Sequence, residues 1–221
     1  MSTPLDPFLT TTSSSQRTAV FNPDYVALRR AWINEQRSPE LLTYEAVAVD
    51  NIMKSLRPQW TLIASRQAQW TGRDSHIRDL LTMEADRVGY ILKSYLRIRL
   101  MKIQHYARHY LMSGQSLMST AEIGFANNVL GITEEAFNSM FLRHLPQGDA
   151  YFQSLVASDD PGGDMIRRPD LEKVVFIKVN DNIGTVSVGG SETVTLEKDR
   201  SYIARYDLVK EFLVDHRVTL I

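Results

Sequence analysis

Residues 74–112 read DSHIRDLLTMEADRVGYILKSYLRIRLMKIQHYARHYLM, a run with no proline and a single glycine, Gly89. Apolar side chains recur along it at steps of three and four residues, the spacing of one face of an α-helix. This stripe comprises Ile77, Leu81, Val88, Ile91, Tyr95 and Ile98, and it is widened by Leu80, Leu92, Leu96, Leu100 and Ile103. The run therefore predicts one long helix around which the rest of the chain is organised.

The predicted helix is too long for one compact domain. At 1.5 Å per residue it would measure roughly 55 Å, whereas a domain of ~150 residues has a radius of gyration of about 15 Å. Such a helix must either break or have part of its apolar surface covered by another molecule. We predict the second outcome, an unbroken helix whose apolar surface is shared with a partner.

The composition excludes several classes of protein. The chain carries 25 Lys and Arg against 26 Asp and Glu, so its net charge of −1 gives no overall attraction to nucleic acid or anionic membranes. It contains no cysteine, which rules out disulfides and thiolate zinc sites. The first residues lack the layout of a signal peptide, and no apolar run approaches the ~20 residues that span a bilayer. We expect a soluble, intracellular protein.

Start and stop signals divide the first 150 residues into helices. Asn22-Pro23 is a capping residue followed by a proline, which is favoured at the first helical position. Pro58 lies inside the second helical pattern, where it is expected to kink or split the helix because it removes one hydrogen bond. The expected helices cover 24–36, 44–69, 74–112 and about 120–145, the last with an interruption at Gly131.

The hydrophobic period changes from helical to two after the linker-like segment SDDPGGDMIRRP, residues 158–169. Strands are expected at 174–179, 185–188, 193–196 and 202–205, then a short helix from Asp207 to Phe212 and a final strand in RVTLI. A unit of ~55 residues buries too little surface to be robust alone, so we expect it to dock on something.

These patterns predict a mainly α protein, with an N-terminal helical bundle followed by a small C-terminal β-rich domain. The expected divisions are a disordered tail at 1–21, a helical domain at 22–150, a linker at 151–168 and a β-rich domain at 169–221.

No set of residues in the sequence matches a catalytic or metal site. There is no Gly-Lys-Ser/Thr phosphate loop and no Gly-x-Ser-x-Gly nucleophile elbow. His105 and His109 have the spacing of a helical metal pair but lack the glutamate and third ligand of a zincin. The acids of the linker lack the spacing of a calcium loop. We therefore expect a non-enzyme with no cofactor and no metal.

Basic residues on the long helix leave a second function open. They include Arg87, Lys93, Arg97, Arg99, Lys102 and Arg108, and they could follow a phosphate backbone in a nucleic-acid-binding adaptor. However, Arg97 and Arg99 lie about 200° apart around a helix. At least one of them is therefore expected to face a protein surface and pair with a carboxylate.

Several stretches resemble the GINS family, in its Sld-five branch. The run YILKSYLRIRLMKI (90–103) resembles the signature helix of that family, and AWINEQRSPELL (31–42) resembles its first helix. LRHLP (142–146) is similar to the end of its helical domain, and RPDLEKVVFIKV (168–179) to the start of its β domain. LEKDRSYIARYDLVKEFL (196–213) and the terminal RVTLI resemble its last hairpin, helix and strand. The resemblance covers residues 25 to 221.

The resemblance implies a non-catalytic subunit of a heterotetramer with three paralogous Psf subunits. In the nucleus, that tetramer joins the minichromosome-maintenance ring and the Cdc-forty-five protein in the replicative DNA helicase, for initiation and elongation. It implies no membrane and at most weak contact with DNA. Some members recruit a replisome hub protein through an N-terminal peptide, and residues 1–21 are the candidate for one here.

The resemblance also implies which residues contact other subunits or support that contact by packing. They are Trp32, Tyr95, Leu96, Arg97, Arg99, Leu100, Lys102, Leu220 and Ile221. Trp32 is further expected to anchor the first helix against the long one.

Overall fold

A computed structural model describes residues 22–65, 73–140, 166–189 and 192–221. The predicted tail at 1–21, the stretch 142–146 and most of the predicted linker lie outside these residues. The chain forms two compact units, Met1–Ile33 with Glu45–Leu96, and Asn34–Tyr44 with Arg97–Ile221.

The helical region contains five α-helices within the described residues. They are α1 Pro23–Arg37, α2 Ala46–Ser65, α3 Arg73–His105, α4 Ala107–Ser113 and α5 Thr120–Met140. The start of α1 agrees with the predicted signal, since the Asn22 side chain accepts a hydrogen bond from the backbone N–H of Asp24 at 2.9 Å. α2 runs without a break through Pro58. Because Pro58 has no backbone N–H, the backbone carbonyl of Lys54 loses its helical hydrogen-bond donor. Both residues are exposed, so water can satisfy that carbonyl.

The prediction of an unbroken helix over 74–112 is wrong, because the helix ends at His105 and restarts at Ala107. Tyr106 lies between them with φ −122° and ψ 31°. α3 keeps 33 residues, or about 50 Å. α4 places Tyr110 in a buried cluster of the second unit, with Leu41, Ile103, Met118 and Ala126. The interruption of the helix at Tyr106 thus comes one turn before a buried aromatic ring.

The predicted interruption at Gly131 is also wrong, since α5 continues through it to Met140. Gly131 is exposed, and nothing lies within 4 Å of the position that a Cβ would occupy. A glycine at such a place weakens a helix by about 1 kcal/mol relative to alanine but does not end it.

The C-terminal region is β-rich, as predicted. It comprises β1 Val174–Val179, β2 Gly184–Gly189, β3 Glu192–Leu196, β4 Ser201–Arg205, α6 Tyr206–Val214 and β5 Val218–Leu220. β4, β1 and β5 form an antiparallel three-stranded sheet in that order, and β2 pairs with β3 as a separate hairpin.

A hydrophobic core joins α6 to one face of the three-stranded sheet. It contains Val175, Ile177, Tyr206, Val209, Leu213, Val218 and Leu220. β1 alternates exposed and buried residues along its length, which is the period-two pattern of a strand with one covered face. The predicted fold class, a helical region followed by a small β-rich region, is confirmed. The predicted domain limits stay a prediction.

Candidate functional site

The centre of the second unit is a group of buried charges around Arg99 on α3. Arg99 is 0% exposed, Glu35 and Glu122 are buried, and Lys102 is largely buried. We call these four residues the buried charge cluster. Two cations and two carboxylates leave the cluster neutral, which is the condition for charges to be tolerated in a protein interior.

Every N–H of the Arg99 guanidinium has an acceptor. Nε donates to Glu122 Oε1 at 2.7 Å and Nη2 to Glu122 Oε2 at 3.2 Å, a bidentate pair. Nη1 donates to Glu35 Oε2 at 3.1 Å and to the Leu42 carbonyl at 2.6 Å. Nη2 also donates to the Leu117 carbonyl at 2.9 Å. With its five donors used, Arg99 ties α1, α3, α5 and two connecting segments together.

Lys102, one turn further along α3, completes the cluster. Its Nζ donates to Glu35 Oε1 at 2.7 Å and to the backbone carbonyls of Glu35 at 2.6 Å and Glu40 at 2.7 Å. Burial lowers the pKa of Lys102 from its usual value, and the Glu35 carboxylate opposes that change. Three acceptors for three N–H groups leave this ammonium with no donor for an external ligand.

Glu122 belongs to the cluster and also starts α5. The Ser119 backbone N–H donates to Glu122 Oε2 at 2.8 Å, and the Glu122 backbone N–H donates to Ser119 Oγ at 3.3 Å. This reciprocal pair is a capping box. The orientation of the carboxylate toward Arg99 is thus fixed by the helix end from which it projects.

A second group of polar contacts in the same unit links the β-rich region to the end of α1 and the segment that follows it. The Tyr206 hydroxyl donates to Glu40 Oε1 at 2.7 Å and accepts from Ser38 Oγ at 3.2 Å. The Leu220 backbone N–H donates to Asn34 Oδ1 at 3.0 Å. Burial raises the pKa of Tyr206 above its usual range. The β-rich region is therefore docked on residues 34–42 through polar contacts to α6 and β5.

In the first unit, α3 carries apolar side chains on two sides. Val88, Ile91 and Tyr95 are buried, whereas Met83 and Tyr90 are 69% and 65% exposed. Met83 and Tyr90 are seven residues apart and thus share a side, and Tyr90 lies about 160° from Val88. Leu80, also exposed, is next to them on this side. We call Leu80, Met83 and Tyr90 the exposed α3 face.

Comparison with known proteins identifies the family. The model of the GINS complex protein helical bundle domain (Sld5) matches residues 34–141, and that of the DNA replication complex GINS protein SLD5 C-terminus matches residues 169–221. A DNA replication complex GINS protein SLD5 from Arabidopsis thaliana is 30% identical over 216 residues, covering 95% of this chain and 96% of its own. The chain belongs to the SLD5 family of GINS proteins.

Other SLD5 proteins match this chain at comparable identity and coverage. The Schizosaccharomyces pombe protein is 30% identical over 197 residues, covering 86% of this chain and 88% of its own. The Homo sapiens protein is 28% identical over 207 residues, covering 88% and 87%. Neither of the two matching family models describes an enzyme.

The nine residues predicted to serve the SLD5 subunit interface fall into three groups. Tyr95, Arg99 and Leu220 are buried within this chain. Partly buried are Trp32, Leu96, Leu100 and Lys102, and exposed are Arg97 and Ile221. The interface assignment stays a prediction. Arg97 and Arg99 do face opposite sides, and Arg99 pairs with carboxylates as expected.

Trp32 makes the contact with α3 that the sequence predicts. Its Nε1 donates to Ser94 Oγ at 3.0 Å, and its ring meets the edge of the Tyr90 ring at a centroid distance of 6.4 Å. Trp32 therefore attaches α1 to α3 next to Tyr90.

Sequence reasoning missed both carboxylates of the buried charge cluster. The Ser-x-x-Glu spacing of Ser119 and Glu122 is a capping-box signal and would have placed Glu122 in the first turn of α5. Glu35 has no comparable local signal, because its partners Arg99 and Lys102 are distant in sequence.

The spacing of His105 and His109 does not give a helical pair, since the break at Tyr106 separates them. No group of three metal-ligating side chains occurs among the residues that the structure describes. None of the described helices combines the length and apolar character needed to cross a bilayer.

Proposed function

We propose that this chain is a non-catalytic structural subunit of a GINS heterotetramer acting in DNA replication. In this proposal its partners are three paralogous Psf subunits, and the tetramer joins the minichromosome-maintenance ring and the Cdc-forty-five protein in the nuclear replicative helicase. The observation that carries the proposal is the exposed α3 face in a chain of the SLD5 family. Large apolar groups on a helix side opposite its own core are typical of protein interfaces.

The burial pattern of α3 supports two different roles for residues of the same helix. Val88, Ile91 and Tyr95 hold the helix in its own unit, while Met83 and Tyr90 remain for a partner. We assign the exposed Arg97 and Ile221 to subunit contacts as well. The buried Tyr95, Arg99 and Leu220 would act beneath those contacts, by fixing the helix and the terminal strand that carry them.

The alternative, a nucleic-acid-binding adaptor that uses the basic residues of α3, receives less support. Arg99 and Lys102 direct all their N–H groups to acceptors within the chain. Arg87 pairs with Glu84 at 2.7 Å on the surface. A phosphate contact at Arg99 or Lys102 would require disruption of the buried charge cluster.

The proposal is tested by co-expressing the full chain with its three presumed Psf partners and measuring the mass of the purified assembly. We expect a four-subunit complex with the unmodified chain and with Met112→Asp, a matched control at a methionine 61% exposed outside the exposed α3 face. Met83→Asp places a charge in the proposed interface and is expected to reduce recovery of the tetramer. The isolated Met83→Asp chain should keep its helical circular dichroism, because Met83 is 69% exposed.

A monomer that gains neither mass nor stability on co-expression would contradict the proposal. Binding of duplex DNA by the isolated chain, weakening steeply with salt, would favour the adaptor instead.

A further inference from the structure

A short segment between α1 and α2 contains buried residues although it belongs to no helix or strand. It comprises residues 38–44, and within it Ser38 and Leu41 are 5% and 1% exposed. Buried backbone N–H and C=O groups outside regular secondary structure need hydrogen-bond partners from elsewhere in the chain. We call this segment the strap.

The buried charge cluster supplies several of these partners. Arg99 Nη1 donates to the Leu42 carbonyl at 2.6 Å, and Lys102 Nζ donates to the Glu40 carbonyl at 2.7 Å. The Leu42 backbone N–H donates to Glu35 Oε2 at 3.3 Å. Hydrogen bonds to charged groups are the stronger ones in proteins. The cluster therefore fixes the path of the strap in addition to joining helices.

α4 and the turn that follows it hold other backbone groups of the strap. The Leu41 N–H donates to the Tyr110 hydroxyl at 2.9 Å, and the Tyr44 N–H donates to the Leu117 carbonyl at 3.2 Å. Leu41 and Tyr110 also belong to the same buried apolar cluster. The strap is thus bound to the helical region on one side along most of its length.

Side chains of the same strap contact the β-rich region. Tyr206, the first residue of α6, has its hydroxyl 2.7 Å from Glu40 Oε1 and 3.2 Å from Ser38 Oγ. Leu42 packs against the hydrophobic core between α6 and the three-stranded sheet. Glu40 and Leu42 therefore make both kinds of contact, since their carbonyls accept from the cluster and their side chains meet the β-rich region.

The β-rich region makes most of its close packing contacts within itself. α6 packs on β4 and β5, whereas neither α6 nor a strand packs extensively on α4 or α5, the described helices that lie wholly in the same unit. A region that has its own core and limited contact with its surroundings can open as a body without unfolding.

We propose that the strap is a docking switch for the β-rich region. While Arg99, Lys102 and Tyr110 hold its backbone, its side chains keep the β-rich region docked. When these backbone hydrogen bonds are lost, the β-rich region undocks as a folded body. This property of the single chain goes beyond the proposed tetramer role and does not depend on it.

Two backbone amides distinguish undocking from unfolding. The Leu220 N–H donates to Asn34 Oδ1 at 3.0 Å, outside the β-rich region, so its hydrogen exchange reports on docking. The Val179 N–H donates to the Arg200 carbonyl at 3.0 Å within the β-rich region, so its exchange reports on the fold of that region. Leu220 and Val179 are 1% and 0% exposed, so both amides exchange only after an opening.

The experiment measures the exchange of these two amides by NMR in the full chain, at increasing urea concentrations below the unfolding transition. Undocking exposes less surface than unfolding does. We therefore expect the opening at Leu220 to be more frequent than that at Val179 and to depend less steeply on urea.

Two variants release the strap from the helical side. Tyr110→Phe removes the acceptor of the Leu41 N–H, and Lys102→Met removes the donor to the Glu40 carbonyl. We expect each to raise the exchange rate of Leu220 roughly tenfold or more in the absence of urea, as for the loss of a buried hydrogen-bond partner. Lys93→Met is the matched control, because it makes the same replacement at an exposed lysine of α3. It should leave that rate unchanged.

The proposal is overturned if Leu220 and Val179 open equally often and with the same urea dependence, because the two regions would then open only together. It is also overturned if Tyr110→Phe leaves the exchange of Leu220 unchanged. This variant keeps the buried ring, so it decides the question even if Lys102→Met does not fold. Tetramer assembly, measured separately, reports on the proposed function alone.

Discussion

Replacement of Arg99 by methionine should destabilise the chain strongly. The substitution keeps an unbranched but shorter side chain and removes five hydrogen bonds, three of them to Glu35 and Glu122. Both carboxylates then remain buried, Glu122 with the Ser119 N–H and Glu35 with Lys102. Removing one partner of a buried ion pair costs about 3–5 kcal/mol, a large share of the ~5–15 kcal/mol that stabilises a domain.

The measurement is urea denaturation of the full chain, followed by circular dichroism for the unmodified chain, Arg99→Met, Glu122→Gln and the double variant. Glu122→Gln keeps an oxygen that can accept from the Ser119 N–H, so the capping box is preserved. Because each single variant leaves the buried charge cluster with one uncompensated charge, the double variant should lose less free energy of unfolding than the sum of the two. A coupling below about 0.5 kcal/mol, or an Arg99→Met variant as stable as the unmodified chain, would refute the reasoning.

Further predictions concern one close contact and one buried phenol. A Cβ on Gly89 would lie 2.8 Å from the ring of Trp60, so Gly89→Ala should lower the free energy of unfolding and change tryptophan fluorescence. Gly131→Ala, with open space around it, is the control and should stabilise by about 0.5–1 kcal/mol in thermal or urea denaturation. Burial raises the pKa of Tyr206 from its usual 10.0, so its contribution to stability is present below about pH 10 and is lost as the pH rises above it. Tyr206→Phe should flatten this alkaline loss in denaturation curves measured from pH 8 to 11, and should cost about 1.5–3 kcal/mol at pH 8 by removing the hydrogen bond to Glu40.

The elements with strong local signals were predictable from the sequence. The Asn22-Pro23 pair placed the start of α1, and period-two alternation placed β1 at the same residues, 174–179, that the structure assigns. These signals depend on neighbouring residues only, so no knowledge of the tertiary contacts was needed.

The break between α3 and α4 was not predictable in this way. Tyr106 is neither a proline, which would remove a backbone N–H, nor a glycine, which would add backbone freedom. The residues beside it in the sequence do not oppose a helix either. The interruption accompanies burial of Tyr110 beside Leu41, whose backbone N–H donates to the Tyr110 hydroxyl at 2.9 Å. Contacts between residues so distant in sequence override local helix propensity.

The site was predictable in part. Helical geometry indicated that Arg97 and Arg99 face opposite sides, and the chemistry of the guanidinium indicated that at least one of them pairs with a carboxylate. It could not identify Glu35 or Glu122 as the partners, because ion pairs between distant segments depend on how the helices meet. The sequence thus indicated that an arginine of the run 90–103 is ion-paired, but it did not indicate that Arg99 lies in the protein interior.

Under the proposed function, the run 90–103 serves both the fold of the chain and its contacts with other subunits. Its buried members, Tyr95 and Arg99 among them, fix the helix within the chain, while Tyr90 and Met101 on the same helix remain exposed. A substitution at a buried position should therefore destabilise the isolated chain, whereas one at an exposed position should change binding and leave the fold intact. If both kinds of substitution acted only on the fold, the exposed apolar residues of α3 would have no role that the proposed function explains.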